Sequence, residues 1–150
     1  MAKPCCTLTL SDVVAIHRKV AENFGGPSGC EDAFVNEASL KHALTAALFP
    51  LFGVDRFPTV FDKTAVIAHA IITGHVFVDG NKRTGLAVCV QMLAVNGLAF
   101  DLTKADEDFI VRIAEGGISV EEIAGWLKKR LKNPGVTVRR EKPKEQGNLR

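Results

Sequence analysis

Apolar positions along the chain fall into six stretches with helical spacing, parted by short polar or glycine-rich breaks. In the first stretch Val13, Ile16, Val20 and Phe24 recur every three or four residues. That predicts an amphipathic helix over about Asp12–Asn23, capped by Ser11 or Thr9, after a short extended lead-in at Thr7–Leu10. Gly25-Gly26-Pro27-Ser28-Gly29 ends it and opens a loop through Cys30, Glu31 and Asp32 to Asn36. A second helix is predicted over about Glu37–Leu48, with Leu40, Ala43, Leu44, Ala47 and Leu48 inward. Phe49–Thr59, with two prolines and three phenylalanines, reads as a loop with a short hairpin, whose apolar side chains must pack on something. The third and fourth stretches, about Lys63–Thr73 (capped by Asp62) and Lys82–Val95, are apolar nearly all round, the mark of buried helices. Asn96-Gly97 is a stop signal. A fifth helix over about Lys104–Ala114 turns Phe109, Ile110 and Ile113 inward and breaks at Gly116-Gly117. Ser119 and Glu122 have capping-box spacing for a sixth, about Val120–Leu131, striped by Ile123, Trp126, Leu127 and Leu131. With hardly any strand pattern and no internal repeat, the chain is predicted to be a single all-α domain over residues 1–131, followed by a tail, 132–150.

Composition changes this picture little. A chain of 150 residues, 47% hydrophobic and 24% charged, suits one soluble domain burying roughly 70% of its unfolded surface. No uninterrupted apolar run is long enough to span a membrane, and Met1–Cys6 has no apolar leader region, so the expected location is cytoplasmic. Cys5, Cys6, Cys30 and Cys89 form no C-x-x-C pair, so neither a disulfide framework nor a structural zinc is expected. The tail carries six basic and two acidic residues, a net of +4 against +2 for the whole chain. The body is thus slightly acidic and not a nucleic-acid binder by charge, and the basic tail is predicted to be a solvated, disordered end. His17, beside the first apolar face, reads as a surface or packing residue, His42 as solvated and His69 as a core histidine.

The candidate chemistry lies between the two buried helices, in Gly74-His75-Val76-Phe77-Val78-Asp79-Gly80-Asn81-Lys82-Arg83-Thr84-Gly85. So much polarity between buried elements is costly unless it is used. Asp79-Gly80-Asn81 reads as a tight turn into a helix whose first N–H groups and positive dipole end make an anion site. Gly80 and Gly85 allow close backbone approach. Lys82 and Arg83 add cations that the helix dipole alone disfavours, which argues for a negative ligand. Asp79 is a hard oxygen donor suited to nucleotide-borne Mg²⁺. Histidine is the side chain that ordinarily titrates nearest neutrality, which suits His75 to the work of a general base. Together these are the parts of a phosphoryl- or nucleotidyl-transfer site. It is not a Walker loop, because Asn81 separates Gly80 from Lys82 and five residues part Gly74 from Gly80.

His75-x-Phe77-x-Asp79-Gly80-Asn81-Lys82-Arg83 resembles the Fic/Doc signature, most closely its Doc branch of toxin–antitoxin toxins, with seven specified positions in nine. Weaker similarity runs from about Leu10 to Leu131. The resemblance implies a helical Fic-type fold with His75 as base, Phe77 as buried anchor and Asp79 as Mg²⁺ ligand. It places Gly80, Asn81, Lys82 and Arg83 at the phosphates of ATP, and makes Phe49–Thr59 a flap that lines up the target. Lys82 stands where the adenylylating branch has Gly, and Leu86 where it has a second Arg. The Doc branch shares the Lys and implies transfer of the terminal phosphate to a protein hydroxyl, a threonine of elongation factor Tu, with arrest of translation. The alternatives are nucleotidyl (AMP) transfer and a non-catalytic binding module. The inhibitory pattern [Ser/Thr]-x-x-x-Glu-[Gly/Asn] is absent: Arg18 precedes Glu22-Asn23 and Val111 precedes Glu115-Gly116. Restraint is therefore expected in trans, from an antitoxin of the Phd type.

Overall fold

The computed structural model describes residues 7–24, 34–99 and 101–132. The loop expected over Gly25–Asn36 lies mostly outside these residues, as do Cys5, Cys6, Cys30 and the tail beyond Lys132. Six α-helices make up the described chain: α1 (Leu10–Phe24), α2 (Glu37–Leu48), α3 (Val60–Thr73), α4 (Asn81–Val95), α5 (Lys104–Glu115) and α6 (Val120–Lys132). The all-α expectation holds, and extended pairing among the described residues is confined to two isolated bridges, Phe34 with Phe77 and Leu51 with Val54.

Local chemistry sets where the helices begin. Thr9 N–H donates to the Asp12 carboxylate and Asp12 N–H donates back to Thr9 Oγ1, so α1 starts two residues before the expected Asp12. Likewise α3 begins at Val60, not Lys63. Thr59 is its cap, and Asp62, expected as the cap, is the reciprocal partner three residues inside. Thr103 with Asp106, and Ser119 with Glu122, repeat the arrangement at α5 and α6.

α3 lies in the middle, packed against α2, α4, α5 and α6. Its near-uniform apolarity follows from that position: Ala65, Ile67, Ala68, Ile71 and Ile72 are all buried. Two core clusters flank it. One joins α3 and α4 to α5 and α6 through Ile72, Cys89, Leu93, Ile113, Ile123 and Leu127. The other joins α3 and α4 to α1 and α2 through Val13, Leu40, Ile67, Val76, Phe77 and Met92. α3 and α4 close tightly where Gly85 meets Ile72, since a Cβ on Gly85 would come 2.4 Å from Ile72 Cγ1. Arg130 of α6 pairs with the buried Asp106 of α5 (Nε to Oδ1, 2.8 Å) and also donates to the Asp101 carbonyl.

Two expectations about apolar side chains fail. Leu48, in the last turn of α2, is exposed rather than inward. Between α2 and α3, Leu51 and Val54 exchange backbone hydrogen bonds of 2.9 Å around a turn with positive φ at Phe52 and Gly53, the expected hairpin. Its apolar residues do not pack, however: Phe52 is 95% exposed, and Phe49, Leu51 and Val54 are exposed too. Polar ties hold the hairpin instead. Lys63 Nζ donates to the Ala47 carbonyl at 2.8 Å and to the Asp55 carboxylate at 3.2 Å. The Phe57 amide above all holds the Asp55 carboxyl below its ordinary value; burial pulls the other way, and Lys63 adds to the lowering.

Candidate active site

The loop between α3 and α4 is built as a chain reversal that only particular residues permit. Gly74 caps α3, and a Cβ there would fall 2.4 Å from the Ala70 carbonyl and 2.5 Å from Ser39 Oγ. His75 follows with φ +49°, a left-handed conformation uncommon for a residue with a side chain, though histidine adopts it more readily than most. Its side chain is exposed, while Val76 and Phe77 dive into the core, Phe77 to 1% exposure. The alternation out–in–in–out–out over residues 75–79 leaves His75, Val78 and Asp79 at the surface above a hydrophobic footing.

Three sets of contacts brace the loop. On one side, Val35 and Asn36 N–H groups donate to the Val76 carbonyl at 2.8 and 3.1 Å, and Asn36 Nδ2 donates to the Gly74 carbonyl at 3.1 Å. Within the loop, Asn81 closes a ring on the Phe77 backbone: its Oδ1 accepts from Phe77 N–H and its Nδ2 donates to the Phe77 carbonyl, both at 3.0 Å. From beneath, His17 of α1 stacks on Phe77, ring centroids 3.8 Å apart and planes 6° from parallel, and its Nε2 lies 2.9 Å from the Asp79 carbonyl.

Gly80 then turns the chain into α4 at φ +80° and ψ +16°, a left-handed turn for which glycine is suited. No side chain caps α4, so the N–H groups of its first turn are not claimed by a side-chain cap, and groups of this kind are able to hold an anion. Lys82 and Arg83 are exposed in that turn. Asp79 is exposed, and its Oδ1 accepts from Gly80 N–H at 2.8 Å. Among the described residues no three His, Cys, Asp or Glu side chains gather as a metal cage. One exposed carboxylate beside an uncapped helix start fits Mg²⁺ that arrives on a nucleotide and keeps phosphate and water ligands.

The predicted site residues thus divide by placement. His75, Asp79, Gly80, Lys82 and Arg83 lie along one continuous loop and the first turn of α4. The Asn81 side chain is committed to the loop, so its offer to a phosphate is the backbone N–H. Leu86, one turn on, is buried in the cluster with α5 and α6 and so serves the core. His42 is exposed as expected, and His69 is half-buried rather than a core residue. Of the two readings of His17, surface or packing, the packing one holds, but its contact with the motif loop was not foreseen. This histidine is 2% exposed, not a surface residue, and its packing partner is the loop itself.

The sequence profile of the Fic/DOC family matches residues 7–93, more than half of the chain. The chain belongs to the Fic/DOC family. The match takes in α1 through most of α4, which are the elements that build and brace the loop. Among relatives, Toxin Doc of Mycolicibacterium smegmatis is 35% identical over 81 residues, covering 51% of this chain and 62% of that protein. Protein kinase doc of Escherichia phage P1 is 27% identical over 118 residues, covering 79% of this chain and 90% of that one. Both are Doc proteins, which puts the chain on the Doc branch. No helix among the described residues is long and apolar enough to cross a membrane.

Proposed function

We propose that the chain is a Doc-type toxin that transfers the terminal phosphate of ATP to a protein hydroxyl and is restrained by a separate antitoxin. The observation that carries this reading is the exposed His75, held at positive φ on a braced loop that runs directly into an uncapped helix start bearing Lys82 and Arg83. The names of the two relatives, a toxin and a protein kinase, support the same class of activity.

In this reading the first N–H groups of α4 with Gly80, Lys82 and Arg83 bind the phosphates, Lys82 as a point charge and Arg83 as a two-pronged donor. His75 takes the proton from the target hydroxyl as that oxygen bonds to the terminal phosphorus; the bond to the bridging oxygen breaks and ADP leaves. Asp79 would hold Mg²⁺, which would supply neutralisation of the charge on the transferring group. The family resemblance makes a threonine of elongation factor Tu the target, the cytoplasm the place of action, translation arrest the outcome and a Phd-type protein the antitoxin. Lys82 and the buried Leu86 weigh against AMP transfer, because the second arginine of the adenylylating branch is replaced by a core residue.

The test is to incubate the protein with elongation factor Tu and ATP labelled at either the γ or the α phosphate. Label from γ alone, abolished in His75→Ala, is the expected result. Label from α would make the chain a nucleotidyl transferase. Transfer by His75→Ala equal to that of the parent would remove His75 as the base.

A further inference from the structure

We propose that His17 is a positioning residue of this site: from α1 it holds the Asp79–Gly80 peptide and thereby aims the metal-binding carboxylate and the first turn of α4. The role rests on the phosphate-site reading above, although the contact itself does not.

A carbonyl oxygen only accepts, so the 2.9 Å contact with the Asp79 carbonyl requires the hydrogen on His17 Nε2. The other ring nitrogen, Nδ1, is buried with no partner among the described residues. The Asp79 carbonyl is therefore the one polar anchor found there for this ring. The ring face lies flat on Phe77, which in turn stacks on Phe34 at 5.2 Å. A Cβ placed on Gly80 would come 3.8 Å from both Cδ2 and Nε2 of His17, so the left-handed turn passes directly over the ring edge.

The peptide between Asp79 and Gly80 is thus held at both polar ends. Its carbonyl accepts from His17, and its N–H donates to the Asp79 carboxylate. Rotation of that peptide would swing the carboxylate and change the direction in which α4 begins. A phenylalanine would fill the same space between α1 and the loop, but it has no donor.

His17→Phe keeps the stack and removes the donor, while His17→Gln keeps a donor and removes the ring. In His17→Phe the amides of Phe77, Gly80 and Thr84 are expected to exchange about tenfold faster while those of Ile67 and Leu93 keep the parent rate, since one local hydrogen bond is lost. His17→Gln is expected to recover part of that protection. ATP·Mg²⁺ titrations should weaken about tenfold in His17→Phe, with recovery in His17→Gln. Unchanged loop amides, or faster exchange spread evenly over the core, would overturn the proposal. Should His17→Phe not fold, ¹⁵N-histidine spectra of the parent decide: a slowly exchanging Nε2 proton supports the contact and an Nδ1–H ring overturns it. A parent that binds no ATP·Mg²⁺ would remove the phosphate-site reading, and with it the functional role, while the exchange comparison still reports whether His17 holds the loop.

Discussion

His69 sits half-buried on α3, where burial lowers its pKa from the ordinary 6.5 and the nearby Glu121 pulls weakly the other way. The fold therefore disfavours the protonated ring, and the unfolded chain takes up the proton first as the solution is acidified. Stability is full above the ordinary histidine value and falls as pH drops through it toward the lower folded value. His69→Gln removes this dependence. Urea midpoints at about pH 7.5 and about pH 5.5 should show a smaller loss for the variant than for the parent. Equal losses would place the acid sensitivity elsewhere. His17, the other buried-side histidine, shows the limit of reading residues from the chain alone. Helical spacing put it beside an apolar face, and nothing local could reveal that the far side of that face is a loop 62 residues away. His75, Asp79, Gly80, Asn81, Lys82 and Arg83 were legible because they are consecutive or nearly so.

The limits of α2 and the existence of all six helices were legible because caps and apolar stripes are local features. The start of α3 was misplaced because Thr59 and Asp62 both look like caps, and only reciprocal bonding tells the cap from its partner. The hairpin was expected, but its exposure was not: apolar content predicts burial, whereas this segment is anchored by Lys63, a residue of the neighbouring helix. Lys63→Met keeps the apolar stem and removes the donor to Ala47 and Asp55. Protease cleavage within residues 49–59 should become faster, with a global loss of ~1–3 kcal/mol, because the Ala47 carbonyl loses its charged donor. Cleavage at the parent rate would mean that backbone pairing alone holds the hairpin. At the α3–α4 contact, packing opposes propensity. Gly85→Ala suits a helix better by ~1 kcal/mol, yet its methyl would meet Ile72 at 2.4 Å. Overpacking is the larger effect, ~1–3 kcal/mol against that gain, so the variant should show a net loss of up to ~2 kcal/mol in urea unfolding. A double-mutant cycle with Ile72→Ala should show coupling of opposite sign to the single loss.

Because α3 and α4 belong to both core clusters, damage at the α5–α6 end should be felt by the whole molecule rather than by one half. Arg130 and Asp106 supply the means to ask. The Asp106 side chain is 2% exposed, and Arg130→Met would leave its carboxylate buried without its cation. Breaking a buried pair on one side costs ~3–5 kcal/mol, which raises the population of the open form by a factor on the order of 10²–10⁴. Cys89 is the reporter: it is fully buried in the cluster with α5 and α6, and burial pushes its thiol up to about 12, so it reacts only when the fold opens. Its alkylation by iodoacetamide, read by peptide mass mapping, should accelerate in Arg130→Met by that same factor. Amide exchange at Val13 and Leu40, in the opposite cluster, measures the other half. The shared helices predict that it accelerates equally, as expected of one cooperative unit. Acceleration at Cys89 alone would mean that α5 and α6 peel away as a separate unit, leaving α1 to α4, and with them the motif loop, still folded.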